Sequence, residues 1–129
     1  MKQPFDIFTT LGERLATFGE DAVSVAVIER AEEDNGWFTP ADVRFAVRAI
    51  REQMLCPEKL EQWLALYGLP DKAPSKPHRV AIIMAGNIPL VGFFDLLCVI
   101  AAGHECHIKP SSKDSVLMRY VVEQLRDIE

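Results

Sequence analysis

The sequence predicts an α/β fold in which an N-terminal helical segment precedes a βαβα unit. Three observations lead there. Residues 1–70 carry apolar positions at helical spacing, bracketed by helix start and stop signals. Residues 70–77, PDKAPSKP, hold three of the eight prolines and can neither continue a helix nor enter a central strand. Beyond them, two short apolar runs alternate with two helical patterns. The resulting division is residues 1–70 helical, 71–78 a Pro-rich linker, and 79–129 the βαβα unit.

Four helices are expected first, over residues 5–18, 21–33, 40–55 and 57–67. The third has the fullest set of signals: Thr39 as N-cap, Pro40 at the first helical position and Asp42 in the first turn. Val43, Ala46, Val47, Ile50 and Leu55 then share roughly one face. Trp63, Leu64 and Tyr67 form a similar core stripe on the fourth helix, and Gly68 fits a left-handed cap. After the linker, RVAIIM (residues 79–84) reads as a strand and residues 85–88 as a turn. Pro89 is expected to open a helix that runs to Ala102 and ends at Gly103. HECHIK (residues 104–109) reads as a second strand, and Ser111 or Ser112 as the cap of a last helix reaching about Asp127.

Strand, helix, strand, helix in that order implies a parallel pair joined by a right-handed crossover. The intervening helix is apolar nearly all round and the first strand is apolar on both faces, so both need cover on two sides. Two strands alone cannot provide it, and further sheet from more chain or a partner is expected. The alternative is a small α+β domain whose N-terminal helices cover the sheet.

Apolar residues make up 49% and charged residues 26% of the 129, which fits a globular domain and argues against a disordered, collagen-like or disulfide-dense chain. The net charge of −5 lacks the basic footprint of a nucleic-acid binder. It resides in residues 1–70, with 12 acidic and 7 basic side chains, whereas residues 71–129 carry 7 of each. MKQPFDIFTT has no signal-peptide core and no apolar run is long enough to span a bilayer, so a cytoplasmic protein is expected. Cys56, Cys98 and Cys106, odd in number and irregularly spaced, suit reduced thiols there.

Several chemistries are excluded by spacing. No two glycines stand as G-x-G, and neither a Walker A loop nor a G-x-S-x-G elbow is present. In HECH, strand alternation sends His104 and Cys106 to one face and His107 to the other, which is not a metal-ligand pattern without further donors. Cys98 reads as a packing thiol, since burial without a nearby cation raises a thiol's pKa.

The informative residues are Ala85-Gly86-Asn87-Ile88-Pro89-Leu90 and Ile108-Lys109-Pro110-Ser111-Ser112. Both segments follow strands at their C-terminal ends, where open α/β sheets bind ligands. The Asn87 carboxamide, beside a helix N-terminus, can donate to an oxygen gaining charge, or it can simply stabilise the turn. Lys109 and Ser112 can reach sugar hydroxyls or phosphate, or Lys109 can be merely solvated.

MAGNIPLVGFFDLLCVIAAGHECHIKPSSKDSVL, together with the upstream WFTPADVRFAVRAI, closely resembles the N-terminal part of the acyl-CoA reductase family typified by the bioluminescence fatty acid reductase, within the aldehyde dehydrogenase superfamily. The resemblance is strongest over residues 37–52 and 84–118. It implies that residues 79–129 begin an aldehyde-dehydrogenase-like, Rossmann-like cofactor domain. It also implies reduction of a fatty acyl thioester, from acyl-CoA or an acyl-protein, to an aldehyde by NADPH through a cysteine thioester. Asn87 matches the oxyanion-hole asparagine and Lys109 the lysine on the adenosine ribose. Ser112 stands where NAD-using relatives carry a ribose-gripping glutamate, so repulsion of a 2′-phosphate is absent, and Lys113 adds a cation beside Ser111 and Ser112. NADPH over NADH follows. The family's catalytic cysteine matches none of Cys56, Cys98 and Cys106, which implies an N-terminal piece, inactive alone. Readings from other classes are a helical interaction module and a small nucleotide-binding regulator. An open parallel sheet edge is compatible with a homo-oligomer.

Overall fold

The computed structural model describes residues 3–68 and 74–129 of the chain. The described residues form α1 (Pro4–Leu15), α2 (Ala22–Asp34), α3 (Pro40–Gln53), α4 (Pro57–Leu66), β1 (Arg79–Ile83), α5 (Phe93–Ala101), β2 (Glu105–Lys109) and α6 (Ser115–Ile128). This is a helix-rich mixed α/β architecture with a two-stranded parallel sheet. Residues 69–73, which include the first three residues of the expected linker 71–78, lie outside the described residues.

Local signals act as the sequence suggests at several ends. The Thr39 hydroxyl accepts from the Asp42 N–H at 3.2 Å, with Pro40 in the first turn of α3. Asp21 caps α2 by accepting from the Ser24 N–H at 2.8 Å. Gly68 and Gly103, with φ of 66° and 85°, occupy the left-handed region after α4 and α5. On α3, Val43, Val47 and Ile50 are buried, and Leu55 follows them into the core past the helix end. The aromatic stripe of α4 divides: Leu64 is buried, Trp63 half-buried and Tyr67 exposed.

Two expected helix starts move. Pro89 does not open α5. Leu90 sits at φ 57°, in the left-handed region, so residues 88–92 form successive turns with Val91 N–H to Ile88 O at 3.2 Å and Phe93 N–H to Leu90 O at 3.0 Å. A right-handed helix cannot pass through that residue and starts at Phe93. Neither Ser111 nor Ser112 caps α6. The helix starts at Ser115, and the Ser111 hydroxyl instead accepts from the Lys113 N–H at 3.1 Å, closing a local turn.

The helical half and the βαβα half share one core. Phe8 of α1 meets Phe93 of α5 edge to face, ring centroids 6.5 Å apart, and both are fully buried. The buried stripe of α6, namely Leu117, Met118, Val121, Leu125 and Ile128, packs on α1 and α2. Each such side chain is worth roughly 1.5–3 kcal/mol of transfer from water. Arg14 of α1 adds an ion pair to Asp127 at 2.7 Å and a hydrogen bond to Gln124 at 3.2 Å, both on α6.

β1 and β2 pair with Val80 opposite Cys106, Ile82 opposite Ile108 and Ile83 opposite Lys109. Ile82, Cys106 and Ile108 face the core, on which α5 is the helix packed most closely. The alternating residues Ala81, Ile83, His107 and Lys109 are exposed, Ile83 at 81%. The strand apolar on both faces is thus covered on one face, and α5, expected to be buried all round, leaves Phe94 at 45% exposure while Phe93, Leu96, Leu97 and Ala101 are buried. The N-terminal helices lean on α5 and α6, and the second sheet face stays open among the described residues.

Candidate functional site

Parallel pairing places the segments after β1 and β2 at the same end of the sheet. Their contact begins where the ladder ends: the Met84 N–H donates to the Lys109 carbonyl at 3.1 Å. Gly86 then runs so close to the second loop that a Cβ added there would stand 2.7 Å from Ser111 Cβ and 2.8 Å from Lys113 Cβ. Only glycine allows that approach. Gly92 makes a similar approach to the Met84 side chain, where an added Cβ would meet Sδ at 2.7 Å.

The residues singled out by sequence occupy these two loops. Asn87 follows Gly86, exposed, with the turn of residues 88–92 between it and α5, so its carboxamide does not stand at the first turn of that helix as the sequence suggests. Lys109 ends β2 on the exposed side; Ser111 is half-buried behind Gly86; Ser112 and Lys113 are exposed in the turn before α6. The structure therefore brings Gly86, Ser111 and Lys113 together directly and leaves Asn87, Lys109 and Ser112 solvent-facing around that junction.

Asp114 carries no sequence signal beyond its type, yet it is the polar centre of the junction. It is 6% exposed, and one carboxylate oxygen, Oδ2, accepts from the Leu90 N–H at 2.6 Å. The other, Oδ1, is buried without a partner. Burial, the dominant cause, pushes its pKa from 3.8 up to about 6 against the opposing effect of the Leu90 bond. Its own N–H donates to the Ser111 carbonyl at 3.0 Å, and Asn35, after α2, donates to the Lys113 carbonyl at 3.2 Å. Its residue type would have marked Asp114 only as a helix cap for α6, and its carboxylate makes no such cap.

The cysteines lie elsewhere. All three are free and half-buried, and burial raises the thiol pKa of Cys98, helped by Asp95, and of Cys106. Neither is thereby poised as a thiolate at neutral pH. His107 pairs with Glu105 at 3.0 Å on the exposed strand face. A groove of about 630 Å³ runs between β2 and α6, lined by Cys106, Ile108, Met118, Val122 and the arginines Arg119 and Arg126. Compared with protein-family profiles, curated proteins and solved structures, the chain has no match in any of the three. No helix among the described residues is long and apolar enough to cross a membrane.

Proposed function

We propose that this chain supplies the oxyanion-hole asparagine and the first cofactor-binding loop of an NADPH-dependent reductase of fatty acyl thioesters, with further polypeptide supplying the catalytic cysteine and completing a Rossmann-like sheet. The observation that supports it most is the joined pair of loops at one end of a parallel βαβ segment, with Asn87 on one and Lys109, Ser111, Ser112 and Lys113 on or beside the other. Loops beyond the carboxyl ends of parallel strands are where such sheets bind nucleotides. The open strand face with Ile83 exposed, and the outer face of α5 with Phe94 exposed, are consistent with additional sheet and helix packing on each.

In this reading the substrate is a fatty acyl-CoA or acyl-protein. Asn87 donates its amide N–H to the oxygen of the tetrahedral intermediate formed on the cysteine thioester, Lys109 holds the adenosine ribose, and Ser111, Ser112 and Lys113 line the 2′-phosphate. NADPH supplies hydride to the acyl carbon. A serine at 112 donates its hydroxyl hydrogen to a phosphate oxygen and carries no charge, whereas a carboxylate there would repel the phosphate.

The test is cofactor selectivity in the natural polypeptide that carries this sequence. Aldehyde formation from a long-chain acyl-CoA is expected with NADPH in preference to NADH, and Ser112→Glu is expected to move that preference toward NADH by at least about tenfold, equivalent to roughly 1.4 kcal/mol. Asn87→Ala is expected to lower kcat by on the order of 10²–10³. Equal or better use of NADH by the unmodified enzyme would overturn the cofactor assignment.

A further inference from the structure

We propose that Asp114 is a positioning residue whose carboxylate fastens the turn that directly follows Asn87 to the loop bearing Ser111 and Lys113, and so sets where the Asn87 carboxamide stands. The proposal rests on the reading of Asn87 given above.

The two predicted ligand-binding elements are anchored differently. Lys109 belongs to β2 and is held by the strand ladder, including the bond from Met84 N–H to its carbonyl. Asn87 lies outside the ladder, and the turn that follows it is hydrogen-bonded within itself and to the first turn of α5, with the Leu90 N–H to Asp114 as its bond to the second loop. Leu90 holds a left-handed φ of 57°, a conformation costing an ordinary residue roughly 1–2 kcal/mol and kept only where the surroundings fix it. The Asp114 bond and the burial of the Leu90 side chain are what fix it here.

A residue in the Asp114 position ordinarily caps its own helix. Asp114 makes no cap and reaches back to a turn on the other side of β2, leaving Oδ1 buried and unpaired. That arrangement is unfavourable for a helix start and intelligible as a tether between loops. Around the carboxylate, Lys113 on its own loop and Asp34 on α2 line the same small cavity, together with Phe38 beyond α2, and the turn at residues 88–92 contributes no titratable side chain.

The experiment pairs kinetics of the natural polypeptide with amide resonances of this chain. Asp114→Ala is expected to lower kcat by about 10²-fold, the scale of a 1 Å misplacement, while KM for NADPH stays within about threefold because Lys109 remains on the ladder. Asp114→Asn keeps an acceptor for the Leu90 N–H and is expected to retain most of kcat. In the NMR spectrum, Asp114→Ala moves the Leu90 amide and the Asn87 side-chain amide and leaves the Lys109 amide in place; Asp114→Ser, too short to reach Leu90, gives the same pattern if alanine prevents folding. Unmoved Asn87 side-chain signals, or equal losses in kcat and in KM for NADPH, would overturn the proposal. An unmodified polypeptide without reductase activity sinks the functional reading alone, and the resonances still decide whether Asp114 positions Asn87.

Discussion

Asp114 is buried as an acid whose charged form the surroundings disfavour, and this makes it a source of pH-dependent stability. Its pKa in the folded chain is about 6 against an ordinary 3.8, so between those values the folded state binds the proton that the unfolded state has released. The stability contributed by the protonated form is therefore full below about pH 4 and falls as pH rises toward 6, by roughly 3 kcal/mol in all. Asp114→Asn removes this slope. Urea unfolding at pH 4 and pH 7 is expected to show a smaller difference between the two pH values for the variant than for the unmodified chain, and superimposable differences would contradict the burial of a free acid here. Asn87, Lys109 and the serines stand out in the sequence as candidates by type and spacing, but burial of Asp114 depends on Leu90 entering a left-handed turn, and nothing in Ile-Pro-Leu-Val announces that conformation.

At the scale of elements, the caps, terminators and helix starts of the first half were legible, and the starts of α5 and α6 were not. Thr39-Pro40 and Gly68 behave as their chemistry requires because each acts within one turn. Pro89 and Ser111 are competent to begin helices too, but Leu90 turns left-handed directly after Pro89 and the Ser111 hydroxyl closes a local turn against Gly86, and α5 and α6 start later. The apolar character of α5 implied burial of both its faces, and among the described residues one face is covered while Phe94 on the other stands exposed. Adjacent phenylalanines make this measurable. Phe93→Ala, which empties a fully buried site against Phe8, is expected to cost about 3–5 kcal/mol of unfolding free energy. Phe94→Ala, half-exposed with only a tilted contact to Trp63 at 6.0 Å, is expected to cost under about 1 kcal/mol in this chain. Comparable costs for the two would mean that the outer face of α5 is already covered.

For the whole molecule, the compositional break between the acidic helical half and the neutral second half is real in charge but does not interrupt the core, which runs from α1 through α5 and α6. The helices that precede the sheet thus brace the two elements flanking the loop junction, α5 on one side and α6 on the other. Among the described residues the sheet face around Ala81, Ile83, His107 and Lys109 is open, and under the proposed function cofactor and substrate would meet at the carboxyl end of its parallel strands. The periodicity of the sequence could give that order, because it is local; it could not give which face remains bare, because that depends on what else packs there. The measurement that tests the account most directly is incubation of the natural polypeptide with a long-chain fatty acyl-CoA and NADPH. The account predicts fatty aldehyde and oxidised cofactor in equal amounts, whereas an intact acyl-CoA with no oxidation of NADPH would contradict it.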